Sequence, residues 1–371
     1  MLLVTPLLKY AAYPALSSLG YFRSWRRRQA NPLAILTYHG VFPKGYVPRS
    51  PLLDGNLISA RRLHQQLSLL KRHYNVISPE EFLRFLDEGV QLPPRAVLLT
   101  CDDGLANVAS DMLPVLQELG LKCLFFITGE SLAGDSGMLW YEELWLLFAS
   151  ASPCKLNFRH SAAVVSDIPG DEQKRHDAWW ALVHQLSKTD AATRTNFLHE
   201  LSIAANQAAG WQAELLRNPV QRQRFQLLNK SEVDELLRSG MTIGAHTMTH
   251  PVLSECSPKA AEEEIARPLF LARDALQASF WALAYPYGTP ETVSSRELTL
   301  AAAAGYRCAF MNAGGMVSSS IERFAIPRIH IPAALGLGEF EAHASGFHQY
   351  FHDRLLHPTY LRDTGPVFSQ S

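Results

Sequence analysis

Short apolar runs alternate with longer stretches in which apolar residues return every three or four positions. The first run, residues 33–38 (LAILTY), is rich in strand formers and ends at His39-Gly40. From Ser59, a capping residue, Leu63, Leu67 and Leu70 share one helical stripe, which predicts a helix to about residue 73. Ser78-Pro79-Glu80-Glu81 is a capping-box pattern with proline at the first helical position, so a helix should follow through Leu86. Residues 96–100 and 122–128 read as buried strands separated by a helix near 109–119.

Residues 129–228 break this rhythm. The stretches 138–149, 171–186 and 191–208 read as helices, the first aromatic and the others more polar, so the block is expected to be a mainly helical insertion. The strand–helix pattern resumes at Ser231-Glu232-Val233-Asp234, a second capping box whose helix ends at Gly240. Residues 241–245 form a strand leading into His246, and Ser257-Pro258 opens a long helix to about Leu276. Further strands are expected at 281–285, 306–310 and 323–329. From Gly346 the chain is rich in His and aromatic residues without clear periodicity. Three parts follow: an apolar/basic segment at 1–30, one domain at 31–345 and a tail at 346–371. Alternating strands and helices argue for a parallel α/β core, and in such barrels active sites lie just after the strands.

Composition narrows the function. The 371 residues carry a formal charge of −1 and are 47% hydrophobic, an ordinary globular balance. Near-neutral charge argues against nucleic acid as a partner, because phosphate binding needs concentrated Lys and Arg. The five Cys are scattered without a Cys-x-x-Cys pair, which suits reduced thiols in the cytoplasm. Residues 1–22 carry one charge, Lys9, and precede Arg23 and Arg26-Arg27-Arg28. A secretory signal has the opposite order. The longest uncharged run, 10–22, is shorter than the roughly 20 residues a membrane span needs. Residues 1–28 therefore read either as an anchor on an anionic membrane surface, here the inner face, or as a leader packed on the domain itself.

Two segments carry candidate chemistry: Thr100-Cys101-Asp102-Asp103-Gly104 and His246-Thr247-Met248-Thr249-His250-Pro251. Two His four residues apart can meet one divalent ion, one Asp can complete the set, and the other Asp is then free to act as a base. A zincin would carry Glu at the second position of the His pair; here it is Thr247, so any base must come from elsewhere.

The arrangement resembles the polysaccharide deacetylases of carbohydrate esterase family 4, the NodB-homology group. That family's first motif is Thr-Phe-Asp-Asp-Gly, with Cys101 here in place of Phe, and its second is His-(Ser/Thr)-x-x-His-(Pro/Ser). A third, x-x-Pro-Tyr-Gly, corresponds to Ala284-Tyr285-Pro286-Tyr287-Gly288. The matching blocks cover about residues 33–128 and 231–332. The resemblance implies a distorted (β/α)7-type barrel, here with the helical insertion. It implies that Asp103, His246 and His250 hold Zn2+, with Co2+, Ni2+ or Fe2+ also accepted by such donors. It further implies Asp102 as catalytic base and the Tyr287 backbone N–H as an oxyanion donor.

Two features depart from the family. Many members carry Arg at the position of Ala284, to orient the catalytic Asp; Arg328 is a candidate substitute, or else a surface Arg at a strand end. The general acid, usually a His near the domain's C-terminal end, would be His330. A branch resembling the biofilm poly-N-acetylglucosamine deacetylases is circularly permuted and places that His after the first strand, where Tyr38-His39-Gly40 stands; His39 is the favoured acid. Cys101 reads as a small buried hydrophobe rather than a metal contact. Trp140, Tyr141 and Trp145 read first as core packing and second as a stacking surface for sugar rings. The implied function is metal-dependent removal of N-acetyl groups from an N-acetylated carbohydrate. A carbohydrate-binding relative without activity, or an amidohydrolase acting on a non-sugar amide, are the alternatives.

Overall fold

Eight strands form the main sheet, every pair parallel: β1 (Ala34–Tyr38), β2 (Asn75–Ile77), β3 (Ala96–Cys101), β4 (Leu124–Ile127), β5 (Thr242–Ala245), β6 (Ala282–Ala284), β7 (Cys308–Phe310) and β8 (Ile329–His330). The computed structural model describes residues 8–29, 33–134, 137–155, 167–317 and 321–351. The strand order is β8-β1-β3-β4-β5-β6-β7, with β2 along the first half of β3. A parallel bridge from Phe310 to Ile326, just before β8, curls the sheet into the distorted (β/α) barrel expected for a NodB-type fold.

Strand side chains alternate between two apolar layers, as the pleat requires. Ile35, Leu98, Phe126, Ala284 and Phe310 meet in the barrel interior. Leu36, Leu99, Phe125, Leu283 and Ala309 face the surrounding helices. With both faces covered, the strands are continuously apolar, which is why they were legible as short runs.

Two short helices, α1 (Tyr13–Ser18) and α2 (Tyr21–Arg28), precede β1. They pack on the domain: Tyr13 and Phe22 are buried with Ala342, and buried Arg26 donates to the Ala96 carbonyl at 3.0 Å. Arg23 pairs with Glu341, while Arg27, Arg28, Tyr10 and Leu19 face outward. Residues 1–7 lie outside the described residues.

Helices α3 (Ala60–His73), α4 (Pro79–Glu88) and α5 (Leu113–Leu119) follow the expected positions, and Ser59 and Ser78 cap the first two. The 129–228 stretch holds α6 (Trp140–Ser150), α7 (Glu172–Leu186), α8 (Ala191–Ala204) and α9 (Pro219–Phe225). These share their own apolar cluster, which includes Leu144, Phe148, Trp179, Leu182, Leu201 and Phe225.

The next helix, α10 (Lys230–Arg238), corrects one detail of the sequence reading. Its capping box is Asn229 with Glu232, two residues before the Ser231 expected to open it. Asn229 has the extended backbone that a cap needs, and Ser231 is already inside the first turn. Helices α11 (Pro258–Leu276) and α12 (Ser295–Ala304) complete the outer layer. Of the strand expected at 323–329, only Ile329 joins β8, which also takes in His330.

Helix α13 (Leu337–Ala344) has no counterpart in the sequence reading. It is sandwiched between the core and α1, so it buries several sides and shows no single apolar stripe. At the closest point Gly338 lies against Pro14, where an added Cβ would come within 2.6 Å of the Pro14 nitrogen. Among the described residues no helix is long and apolar enough to cross a membrane.

Candidate active site

Asp103, the His246–His250 loop and Tyr287 each follow the C-terminal end of a strand through a left-handed backbone turn. After β3, the Asp102 N–H still donates to the Tyr38 carbonyl, and Asp103 then turns left-handed at φ 75°. Gly104 follows at φ 71°, where a side chain would press on Ile127. After β5, the His246 N–H donates to the Ile127 carbonyl, and Thr247 and His250 are left-handed. Tyr287, after β6, is left-handed too. Each such non-glycine residue costs of order 1–3 kcal/mol, and the surrounding contacts must offset it.

Those contacts are specific. Glu264 of α11 accepts the N–H groups of Met248 and Thr249, both at 2.9 Å, and the Thr249 hydroxyl at 2.6 Å. Arg194 of α8 donates to Thr249, and the Trp140 indole donates to the His250 carbonyl at 3.2 Å. The loop holding both His is thus clamped by helices from two separate parts of the chain.

Asp103, His246 and His250 converge, all buried, with ligand atoms within 4.8 Å of one another. Each His Nε2 lies 3.5 Å from Asp103 Oδ1. The His246 Nδ1–H donates to the Ala284 carbonyl at 2.7 Å, which orients the ring with Nε2 toward Asp103, where a bound ion would take the Nε2 lone pair in place of a proton. This is a donor set that fits a divalent ion with an open position. Burial opposes charge on Asp103, but the His246 hydrogen bond and the neighbouring His residues outweigh it and keep the carboxylate ionised. Burial, with His246 alongside, pushes His250 down to about 3, so it offers a neutral imidazole. Cys101 packs away from the set in the core among helix-facing residues.

Asp102 is gripped by Arg328. The guanidinium donates to Oδ1 at 2.7 Å and Oδ2 at 2.6 Å, a bidentate fork, while its Nε donates to the Met311 carbonyl. Arg328 is fully buried between the rings of Phe126 and Phe310. Burial raises the Asp102 pKa, but Arg328 leads the charges that bring it below the usual carboxylate value. Of the two readings of Arg328, the surface one fails: the side chain is fully buried and contacts the Asp102 carboxylate directly.

His39 and His330 do not occupy rival places. Because β8 pairs with β1 through Thr37 and His330, the two rings meet edge to face, 4.9 Å apart. Both line a cavity of about 380 Å³ together with Asp102, Asp103, His246 and Tyr287. Burial, then the charge of His39, pushes His330 down to about 3.

The comparisons with known proteins agree with this geometry. Residues 167–309 match the model of the polysaccharide deacetylase family. The likeness to that family lies in this stretch, which is less than half of the chain. The match includes His246, His250 and Tyr287 but not Asp102, Asp103, His39 or Arg328, and it begins inside the stretch read as an insertion. Among solved structures, the deacetylase PplD from Streptococcus pyogenes, in complex with acetate, is 18% identical at a TM-score of 0.53, over 84% of this chain and 98% of its own. IcaB from Ammonifex degensii is 18% identical at 0.52, over 85% and 98%. A de-N-acetylase from Aggregatibacter actinomycetemcomitans is 15% identical at 0.50, over 83% and 98%. At this identity the three share the fold. No curated protein matches the chain by sequence.

Several cavity residues escaped the sequence reading. Glu142, Trp179 and Trp180 line it, as do Asn56 and Asn312. Of the three aromatics singled out earlier, Trp140 and Trp145 are buried, whereas Tyr141 reaches the cavity and its hydroxyl approaches Asp103 at 3.4 Å. The adjacent acid–aromatic order Trp140-Tyr141-Glu142 was the available signal, but only the packing of α6 shows that Tyr141 and Glu142, and not Trp140, reach the site.

Proposed function

We propose that this protein is a metal-dependent hydrolase that removes N-acetyl groups from an amino sugar in a polysaccharide, oligosaccharide or glycolipid. The observation that carries this is one cavity holding a complete Asp103/His246/His250 set beside a second carboxylate, Asp102, locked by Arg328. A pure binding module has no use for that second, oriented carboxylate.

The residues then divide the work. A bound divalent ion supplies Lewis-acid activation of water and of the amide carbonyl. Asp102, held ionised by Arg328, takes the proton of the attacking water. The Tyr287 backbone N–H stabilises the developing oxyanion. His39 gives a proton to the leaving amine. His330, pushed down to about 3, stays neutral near pH 7 and is the poorer donor. Zinc is the expected ion, and the permuted biofilm-type branch is the expected place within the family. The exposed Arg27 and Arg28, next to outward-facing Tyr10 and Leu19, support a peripheral contact with an anionic inner-membrane surface.

Acetate release from N-acetylhexosamine oligomers and from simple acetanilides, with and without chelator, tests the reading. We expect release from the sugars only, and loss on chelation. In Asp102→Asn the metal should remain while turnover falls, and His246→Ala should lose both. Turnover on acetanilides alone, or chelator-insensitive release, would refute it.

A further inference from the structure

Glu142 is a buried acid that the proposed chemistry does not use. It sits in the first turn of α6, almost wholly buried, on the wall of the same cavity as Asp102 and Asp103. One oxygen, Oε1, accepts from Arg224 Nη1 at 2.7 Å. The other, Oε2, is buried without a hydrogen-bond partner. An unsatisfied carboxylate oxygen is costly to bury, so its persistence beside a cavity points to a ligand group that completes it.

The surroundings hold Glu142 in place. Arg224 is fully buried, donates to Asp54 Oδ1 at 2.9 Å and to the Leu53 carbonyl at 3.1 Å, and lies over the rings of Tyr46 and Phe225. One guanidinium therefore serves two carboxylates, and Glu142 Oε2 is the oxygen it leaves over. Trp180 also lines this cavity and is 56% exposed, so it adds an accessible aromatic side chain to the same wall set. A polar acceptor and an exposed aromatic face are the two surfaces a sugar ring matches, with its hydroxyl edge and its C–H face.

Resting on the deacetylase reading above, we propose that Glu142 is a substrate-binding residue whose free Oε2 hydrogen-bonds a ring hydroxyl of the acetylated sugar, with Trp180 against the ring. A hydroxyl both donates and accepts, so it satisfies this oxygen whether the carboxyl is ionised or protonated. That matters because burial pushes Glu142 up to about 7 even against the pull of Arg224. A group that can only donate, such as an ammonium, would fit one state alone.

The test compares two substrates on the full chain: N-acetylhexosamine oligomers, and 4-nitrophenyl acetate, which lacks ring hydroxyls. In Glu142→Ala, kcat/KM should fall about 10- to 100-fold on the sugar, the usual range for losing a hydrogen bond to a charged group, with the ester changed less than about threefold. Metal content should be unchanged. Glu142→Gln keeps an oxygen for Arg224 and serves if the Ala variant folds poorly; its loss should be smaller and again confined to the sugar. Monodeoxy sugars complete the cycle: removing the partner hydroxyl should cost the wild type and not Glu142→Ala. Equal losses on both substrates, loss of metal, or no loss on the sugar would each overturn the assignment. If the wild type cleaves the ester but no sugar amide, the deacetylase reading fails. Quenching of Trp fluorescence by the oligomers then decides Glu142 separately: quenching weakened in Glu142→Ala upholds it, and equal or absent quenching rejects it.

Discussion

Replacing Arg328 with Met should separate what holds Asp102 from what holds the metal. Arg328 makes two charged hydrogen bonds to Asp102, at 2.7 and 2.6 Å, and neither residue has meaningful solvent access. Removing one partner of a buried pair leaves the other charge uncompensated, at a cost of ~3–5 kcal/mol. The Met side chain fills the slot between Phe126 and Phe310 and so limits any added cavity cost.

The pH dependence has a definite sign. In the wild type the Asp102 pKa is depressed, so the pair's contribution is complete above the unfolded value of about 3.9 and is lost as pH falls through the native pKa. Without Arg328, burial dominates and raises that pKa above the unfolded value. The variant's deficit should therefore be largest near neutral pH and shrink on acidification. Urea unfolding at pH 7.5 and pH 5 measures this. Metal content should stay at the wild-type level, because Arg328 touches none of Asp103, His246 or His250. Turnover should fall about 100-fold, the scale of a misplaced catalytic group. Asp102→Asn in the Met variant should restore part of the stability and none of the activity. A deficit below about 1 kcal/mol, or one independent of pH, would show that the Arg328–Asp102 pair does not hold this carboxylate.

Three further outcomes are expected. His39→Ala should keep metal and fold but lose about 10²–10⁴ in rate, with His330→Ala losing far less; the reverse order in steady-state kinetics would assign the acid to His330. Glu264→Ala should weaken metal binding about 10- to 100-fold by releasing the Met248 and Thr249 N–H groups, and an unchanged metal titration would refute that clamp. Arg27→Glu with Arg28→Glu should leave the urea midpoint unchanged but reduce sedimentation with anionic vesicles, whereas deleting residues 1–28 should also destabilise the domain, because Phe22 and Arg26 are buried; vesicle binding that survives charge reversal would remove the membrane reading.

The sequence by itself determined most of the elements and singled out the Asp and His residues of the candidate metal site. Buried parallel strands are continuous apolar runs, helices announce themselves through caps such as Ser78 with Glu81, and metal ligands are rare residue types at short spacing. His246 and His250 were legible for that reason, and Asp102 and Asp103 by their place after a strand. Contacts that depend on how distant segments close on one another left no such trace. Arg328 stands more than two hundred positions from Asp102 and meets it because β8 returns beside β1. The same closure sets His39 against His330, so a choice between two chain positions became a choice between two rings in contact. Helix α13 showed no stripe because it is covered from two sides, and Glu142 looked like any acid in a first helical turn until α6 packed it into the cavity wall. Local pattern encodes the burial of one element's face; which far residues share a site is decided by barrel closure and packing, where no spacing rule applies.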